Sequence, residues 1–419
     1  MRILWFCNTP GSGVEYLKLT SHIGGWMSSL DKKIAEKVEL HLAFYYYENI
    51  DSFVYRNIYF HPICIKLNIF QKLKYFFFPV FFKSNHFKRY LKLVEFVKPD
   101  LIHIHGTENS FGCLTTLTSI PIVISIQGNI TICKHKYFNG IEKLQIGLLF
   151  TRSNPLQFLR ILKNIWRDFR WYKLVGLQEQ VSLRSCKWIF GRTDWDKRIS
   201  SILSPEGHYL YLSEVLRPAF YNSEWNKEKN SEKIIIHTTT GVALYKGFET
   251  ICHALVLLNS LQLNVEWQVA GLDSDDDIVQ IVEKLMGLQF PQKNLRLLGL
   301  CDENSLIKKM LDANIYVTVS HIENSPNNLC EAMVLGMPCI ATYAGGTGSI
   351  IQNFQNGLIV QDGDPWVLCG AILELINDYP SAVQLGRNAR KTALRRHDPE
   401  EIAKQLLNHY TYIIKSTKI

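Results

Sequence analysis

Short apolar runs punctuate the chain at intervals that leave room for a helix between them. The first series is 2–7 (RILWFC), 39–46 (ELHLAFYY), 101–105 (LIHIH), 121–126 (PIVISI) and 187–191 (KWIFG). The second is 233–237 (KIIIH), 265–270 (VEWQVA), 295–298 (LRLL), 314–319 (NIYVTV), 338–342 (PCIAT) and 357–360 (GLIV). Continuous apolar strands alternating with helix-length segments predict parallel sheets covered on both faces. Between the two series lies NSEWNKEKNSEK, residues 222–233, polar and without apolar periodicity, which reads as a linker. The expected architecture is α/β, with two doubly wound, Rossmann-like domains over 1–221 and 222–397. Ligands of such sheets bind beyond the carboxyl ends of the strands, so a cleft between the domains is the expected site.

Composition supports this picture. The 419 residues suffice for two cores, and 47% apolar with 20% charged residues is a globular balance. None of the ten cysteines forms a CxxC pair; buried thiols in a reducing, cytoplasmic setting are expected. The opening MRILWFCNTP is too short an apolar run for a signal peptide, and no stretch reaches the length of a membrane span. The net charge of +8 is unevenly spread. Residues 56–98 hold nine Lys/Arg against one acid, and residues 152–173 six against one, both interleaved with aromatics. Packing of the aromatics on a sheet competes here with peripheral attachment to an anionic membrane. No nucleic-acid motif accompanies the charge, and no nucleic-acid partner is expected.

The stretch SHIENSPNNLCEAMVLGMP, residues 320–338, concentrates the chemistry. Ser325 is an N-cap candidate, Pro326 suits the first helical position, and Gly336 with Pro338 ends the helix. Glu323 then lies in the loop after a strand, and Glu331 about a turn and a half into the helix. The segment Asn324, Ser325, Asn327, Asn328, Leu329 offers backbone N–H groups to an anion. Taken singly, each glutamate has an ordinary alternative, a solvated loop acid or a helix-dipole partner. Together they bracket a phosphate-sized positive site with carboxylates that accept from sugar hydroxyls.

ENSPNNLCEAMVLGMPCIAT resembles the E-x7-E signature of retaining GT-B glycosyltransferases, specifically glycosyltransferase family 4. The resemblance is strongest from about 233 to 365. It implies a GT-B fold in which a nucleotide-binding domain, 222–397, is joined to an acceptor-binding domain, 1–221. It also implies that the last helix, 398–419, returns to the N-terminal domain. The implied reaction moves a sugar from a nucleotide-diphosphate sugar to a saccharide or polyprenyl-linked acceptor, with retention, as in surface-polysaccharide assembly. Glu323 would hold donor-sugar hydroxyls and Glu331 the ribose. No cofactor or metal is implied.

Other segments fit the same resemblance. In LYKGFETICHAL, Lys246 looks like the diphosphate lysine, and Gly247 permits close backbone approach. The family's arginine five or six residues earlier is missing from TTTGVA. Gly345 and Gly346 resemble a loop beside the donor phosphates. Gly24 and Gly25 resemble the first glycine loop, and Gly271 closes the strand 265–270. His105 and Glu108, at the end of a strand, are candidates to touch acceptor or sugar. Strand alternation is taken to point His103 away from His105, arguing against joint metal ligation. Gln127 stands where many members carry histidine, and it cannot titrate; the leaving phosphate would then accept the acceptor proton. Arg192 is a phosphate candidate, with a structural salt bridge as the alternative. Asp273 and Asp275 have DxD spacing, but such an acidic run reads as a solvated turn and helix start, not a metal site. Two other readings remain: a nucleotide-sugar epimerase of the same fold, and a non-catalytic or partner-dependent homologue.

Overall fold

The structure, a computed structural model, describes residues 1–19, 25–64, 84–141, 143–228 and 233–417. The chain forms two compact units. One comprises Met1–Lys134, Arg170–Arg217 and His397–Ile419, the other His135–Phe169 and Pro218–Arg396.

The first unit is built on strands β1 (Arg2–Cys7), β2 (Glu39–Tyr46), β3 (Phe53–Tyr55), β4 (Ile58–Cys64), β5 (Leu101–His105), β6 (Ile122–Ser125), β7 (Trp188–Gly191) and β8 (His208–Tyr211). They lie in the order β3-β4-β2-β1-β5-β6-β7-β8, parallel except for the β3–β4 pair. Alternation along β1 splits its side chains between two cores. Ile3, Trp5 and Cys7 pack with the helices Gly25–Ala35 and Pro399–Thr417, while Leu4 and Phe6 pack with Tyr90, Ile102 and Ile104. In the helix Pro399–Thr417, Ile402, Leu406, Tyr410 and Ile413 form one buried stripe. Asp398 caps it by accepting from the N–H groups of Glu400 and Glu401. The Tyr410 hydroxyl anchors it, accepting from Trp5 Nε1 at 2.9 Å.

The second unit carries β9 (Ile234–Thr239), β10 (Val265–Ala270), β11 (Leu295–Leu297), β12 (Ile315–Thr318), β13 (Cys339–Thr342) and β14 (Leu358–Val360). All are parallel, in the order β11-β10-β9-β12-β13-β14. β10, β12 and β13 are buried along their whole length, as expected for strands covered on both faces.

Every apolar run named from the sequence overlaps one of these strands, and β9 extends two residues beyond its run. β3, β4 and β8 were not expected. β3 and β8 expose much of their side-chain surface, and β4 mixes aromatics with histidine and proline, so none reads as a continuous apolar run. The division of the chain also differs from the linker reading, because residues 135–169 group with the second unit. The helix Lys143–Arg152 and the start of the helix Pro155–Arg184 meet the helix Asp277–Met286 through polar contacts. Arg152 donates to the carbonyls of Lys284 and Leu285 at 2.9 and 2.7 Å. Gln157 donates to Gln280, and Asn164 to Asp277 at 2.6 Å.

Candidate functional site

In the second unit, β9 and β12 are neighbours, with Ile236 opposite Ile315 and His237 opposite Tyr316. The chain therefore leaves their carboxyl ends side by side, and the turn after β13 joins them. After β9, a short 3-10 turn, Leu244–Lys246, ends at Gly247 and passes into the helix Phe248–Ser260. Gly247 has φ +79, and a Cβ there would lie 2.1 Å from the Val319 carbonyl oxygen. Only glycine permits this approach of the two turns. It brings Lys246 Nζ to 2.5 Å from Glu323 Oε1. Ser320 Oγ donates to the same oxygen at 2.8 Å.

The third turn closes on Glu323 from its backbone side. Gly346 N–H donates to the Glu323 carbonyl at 2.8 Å, and a Cβ on Gly345 would lie 2.0 Å from that oxygen. Gly271 is placed likewise against the Thr240 carbonyl, with its hypothetical Cβ at 2.0 Å. These glycines thus let the turns after β9, β10, β12 and β13 approach one another closely.

The helix opens at Asn327, not Pro326. Pro326 is the N-cap, with extended backbone at φ −69 and ψ 112, so Ser325 precedes the cap. Asn328 donates from its side chain to the Thr239 carbonyl, tying the helix start to the end of β9. Asn324, Ser325 and Leu329 are buried and Asn327 half-buried. Glu331 is buried within the helix, which ends at Gly336 in the left-handed region, φ +89. Glu323, Lys246, Gly247, Gly345, Gly346 and Asn328 are therefore brought together. The acidic run behaves as a helix start: Asp276 precedes the helix Asp277–Met286 and accepts from the Asp273 N–H at 2.8 Å.

The candidates of the first unit lie mostly at the carboxyl edge of its own sheet. His105 is 1% exposed, and among the described residues neither ring nitrogen has a hydrogen-bond partner. Burial, with the Arg192 charge adding to it, holds its pKa down at about 3. The opposite-face reading of His103 and His105 is corrected. Residues two apart on a strand share a face, and the two rings stand 3.7 Å apart. His103 is buried between Tyr410 Oη and Ser125 Oγ, each at 2.6 Å. Glu108 accepts from Asn8 at 2.8 Å, and burial raises its pKa. Gln127 is half-buried in the turn after β6.

Arg192 forms the structural ion pair rather than an open anion contact. It lies buried 2.7 Å from Glu214 and donates to the Ile126 carbonyl. Its own N–H bonds to Asp196, within the capping box that starts the helix Asp194–Leu203. Gly25 begins the helix Gly25–Ala35 with φ +38, and Gly24 lies outside the described residues. Sequence reasoning passed over Glu249 and His321, which form a buried pair at 2.8 Å. The available signal was their position, three residues after Lys246 and two before Glu323.

Residues 221–392 match the family described as Glycosyl transferases group 1. The capsular polysaccharide biosynthesis glycosyltransferase CapM of Staphylococcus aureus is 26% identical over 173 residues, 41% of this chain and 44% of that protein. The chain thus spans about half the length of the first curated relatives it matches. Among solved structures, sucrose-phosphate synthase from Thermosynechococcus elongatus aligns with a TM-score of 0.74 at 14% identity, covering 99% of this chain and 100% of that one. Anabaena HepE in complex with UDP-glucose aligns with a TM-score of 0.65 at 13% identity, covering 98% and 100%. Residues 221–392 therefore carry the match to the glycosyl transferases group 1 family, in a chain whose two parallel-sheet units have the GT-B fold.

Proposed function

We propose that the protein is a retaining glycosyltransferase. It takes a sugar from a nucleoside-diphosphate sugar and joins it to a hydroxyl of a saccharide or lipid-linked saccharide, in surface-polysaccharide assembly. The observation that carries this reading is the Lys246–Glu323 pair at 2.5 Å, beside the start of the helix Asn327–Leu335. A lysine and helix amides suit a diphosphate, and a carboxylate next to them suits sugar hydroxyls.

In this reading Lys246 and the amides of the 324–329 turn stabilise the diphosphate as it leaves. Glu323 holds the donor sugar and Glu331 the ribose. The bond from the anomeric carbon to the phosphate oxygen breaks, and one from that carbon to the acceptor oxygen forms on the same face. Gln127 carries no titratable proton, and His105, with its pKa near 3, is too weak a base for this step. In this reading the acceptor proton passes to a leaving diphosphate oxygen, and no metal is invoked.

CapM is named for capsule synthesis and the HepE structure contains UDP-glucose, which makes UDP-sugars the first donors to test. A thermal-shift series with UDP-, GDP-, ADP- and dTDP-sugars should show one base raising the melting temperature. If none does, the donor reading falls. Isomerisation of the donor without an acceptor would instead identify an epimerase.

The proposal extends to a peripheral place at the cytoplasmic face of an anionic membrane. On the helix Pro155–Arg184, Leu156 and Leu159 are 82% and 61% exposed, on one helical face with Arg160, Lys163 and Arg167. Much of the other basic aromatic run, 65–83, lies outside the described residues. Among the described residues no helix is long and apolar enough to cross a membrane. Sedimentation with anionic vesicles at low salt and release at high salt is expected. Failure to sediment at low salt refutes the extension.

A further inference from the structure

Next to the Lys246–Glu323 pair in sequence stands a second charged cluster, from which solvent is almost entirely excluded. The His321 ring is 2% exposed, its Nε2 2.8 Å from Glu249 Oε1 and its Nδ1 3.4 Å from Asp362 Oδ2. Thr250 Oγ1 donates to the same Glu249 oxygen at 2.8 Å. Glycines close over the cluster. A Cβ on Gly140, at φ +84, would lie 2.3 Å from Glu249 Oε1 and 2.6 Å from His321 Nε2, and one on Gly363 would lie 3.4 Å from the ring. Burial opposes a charge on His321, but hydrogen bonds and charge from Glu249 and then Asp362 outweigh it and raise its pKa.

Buried ionic groups are a poor source of stability, since an apolar cluster of the same shape serves as well or better. What this cluster supplies is a fixed relation between two turns. Glu249 lies in the first turn of the helix Phe248–Ser260, directly after the turn that presents Lys246, and His321 belongs to the turn that presents Glu323. The same turns also meet through the backbone, with His321 N–H donating to the Tyr245 carbonyl at 2.8 Å and Gly247 packed on Val319.

We propose that His321 and Glu249 are positioning residues of the donor site, whose side-chain hydrogen bond holds the Val319–Glu323 turn on the start of the helix Phe248–Ser260 and so sets the spacing of Lys246 from Glu323. Neither residue touches the sugar or the phosphates. The inference rests on the donor reading above and assigns the pair to its sugar–diphosphate end, because Glu331 lies on a separate helix. Loss of the hydrogen bond changes recognition of the β-phosphate and sugar and leaves the nucleoside end unchanged.

The test compares the wild type with His321→Ala, His321→Asn and Glu249→Gln. Affinities for UMP, UDP and UDP-glucose are measured by calorimetry, or for the corresponding series of whichever base stabilises the wild type. In His321→Ala, UDP-glucose binding should weaken about tenfold, the worth of one lost hydrogen bond to a charged group, while UMP binding stays within about twofold of wild type. Glu249→Gln retains an acceptor oxygen and should lie between wild type and His321→Ala. If His321→Ala does not fold, His321→Asn and Glu249→Gln carry the comparison. Unchanged UDP-glucose binding, or parallel weakening of all three ligands, overturns the inference alone. A wild type that binds none of the series overturns the donor reading and this inference with it.

Discussion

Lys246 and Glu323 satisfy each other, and under the proposed function this makes Glu323→Gln a perturbation of opposite sign for two ligands. Lys246 Nζ stands 2.5 Å from Glu323 Oε1, with side chains 24% and 13% exposed. A diphosphate must draw the ammonium partly away from that carboxylate. At an effective dielectric of about 20, unit charges about 4 Å apart attract by roughly 4 kcal/mol. Partial solvent exposure and side-chain entropy reduce the net worth of such a pair to about 1 kcal/mol. Glutamine keeps the shape and an acceptor oxygen but removes the charge, so UDP should bind Glu323→Gln about fivefold more tightly. UDP-glucose gains the same release but loses hydroxyl contacts to a charged acceptor, costing about 1.5–3 kcal/mol. Its binding should therefore weaken, and transfer should fall further. Titration calorimetry of both ligands at low and high salt is the assay, and the UDP gain should shrink as salt screens Lys246. If UDP binding weakens in step with UDP-glucose, the carboxylate does not compete with phosphate for Lys246, and the assignment of the two roles is wrong.

Two further predictions concern the first unit. Tyr410→Phe removes the buried hydroxyl shared by Trp5 Nε1 at 2.9 Å and His103 Nδ1 at 2.6 Å. Two fully buried polar groups lose their shared partner, which should cost about 2–4 kcal/mol in urea denaturation; a loss under about 1 kcal/mol would mean the helix Pro399–Thr417 is held by apolar packing alone. Asp31 is buried, and burial, opposed by the Ser12 N–H hydrogen bond at 2.6 Å, pushes its pKa up to about 7. The folded protein then keeps a proton that the unfolded chain has already released above about pH 4. Stability should accordingly fall as pH rises from about 4 to 7 and level off above that, with a ceiling on the order of 4 kcal/mol. Asp31→Asn should flatten this slope, and an unaltered pH profile in the variant would reject the assignment.

The legible and illegible parts of the molecule divide by the range of the interactions behind them. β10, β12 and β13 are buried on both faces, so each residue must be apolar or internally satisfied, and the run is visible in a window of six residues. β8 is short and partly exposed, and it leaves no such run. The attachment of residues 135–169 to the second unit depends on Arg152 reaching carbonyls 132 and 133 positions away, which no local pattern records. The same distinction runs through the candidate site. The eight-residue separation of Glu323 from Glu331 is set by one turn and the start of one helix, so it could be read directly. That Lys246 neutralises Glu323 across 77 residues follows from β9 lying beside β12 in the sheet. Sheet order also explains why His321 meets Glu249, since His321 stands in the turn after β12 and Glu249 in the helix that follows the turn after β9. In the proposed function, spacing along the chain is what places the diphosphate. The order of the strands decides which charges it must displace, and the opposite responses expected of UDP and UDP-glucose to Glu323→Gln depend on that second fact.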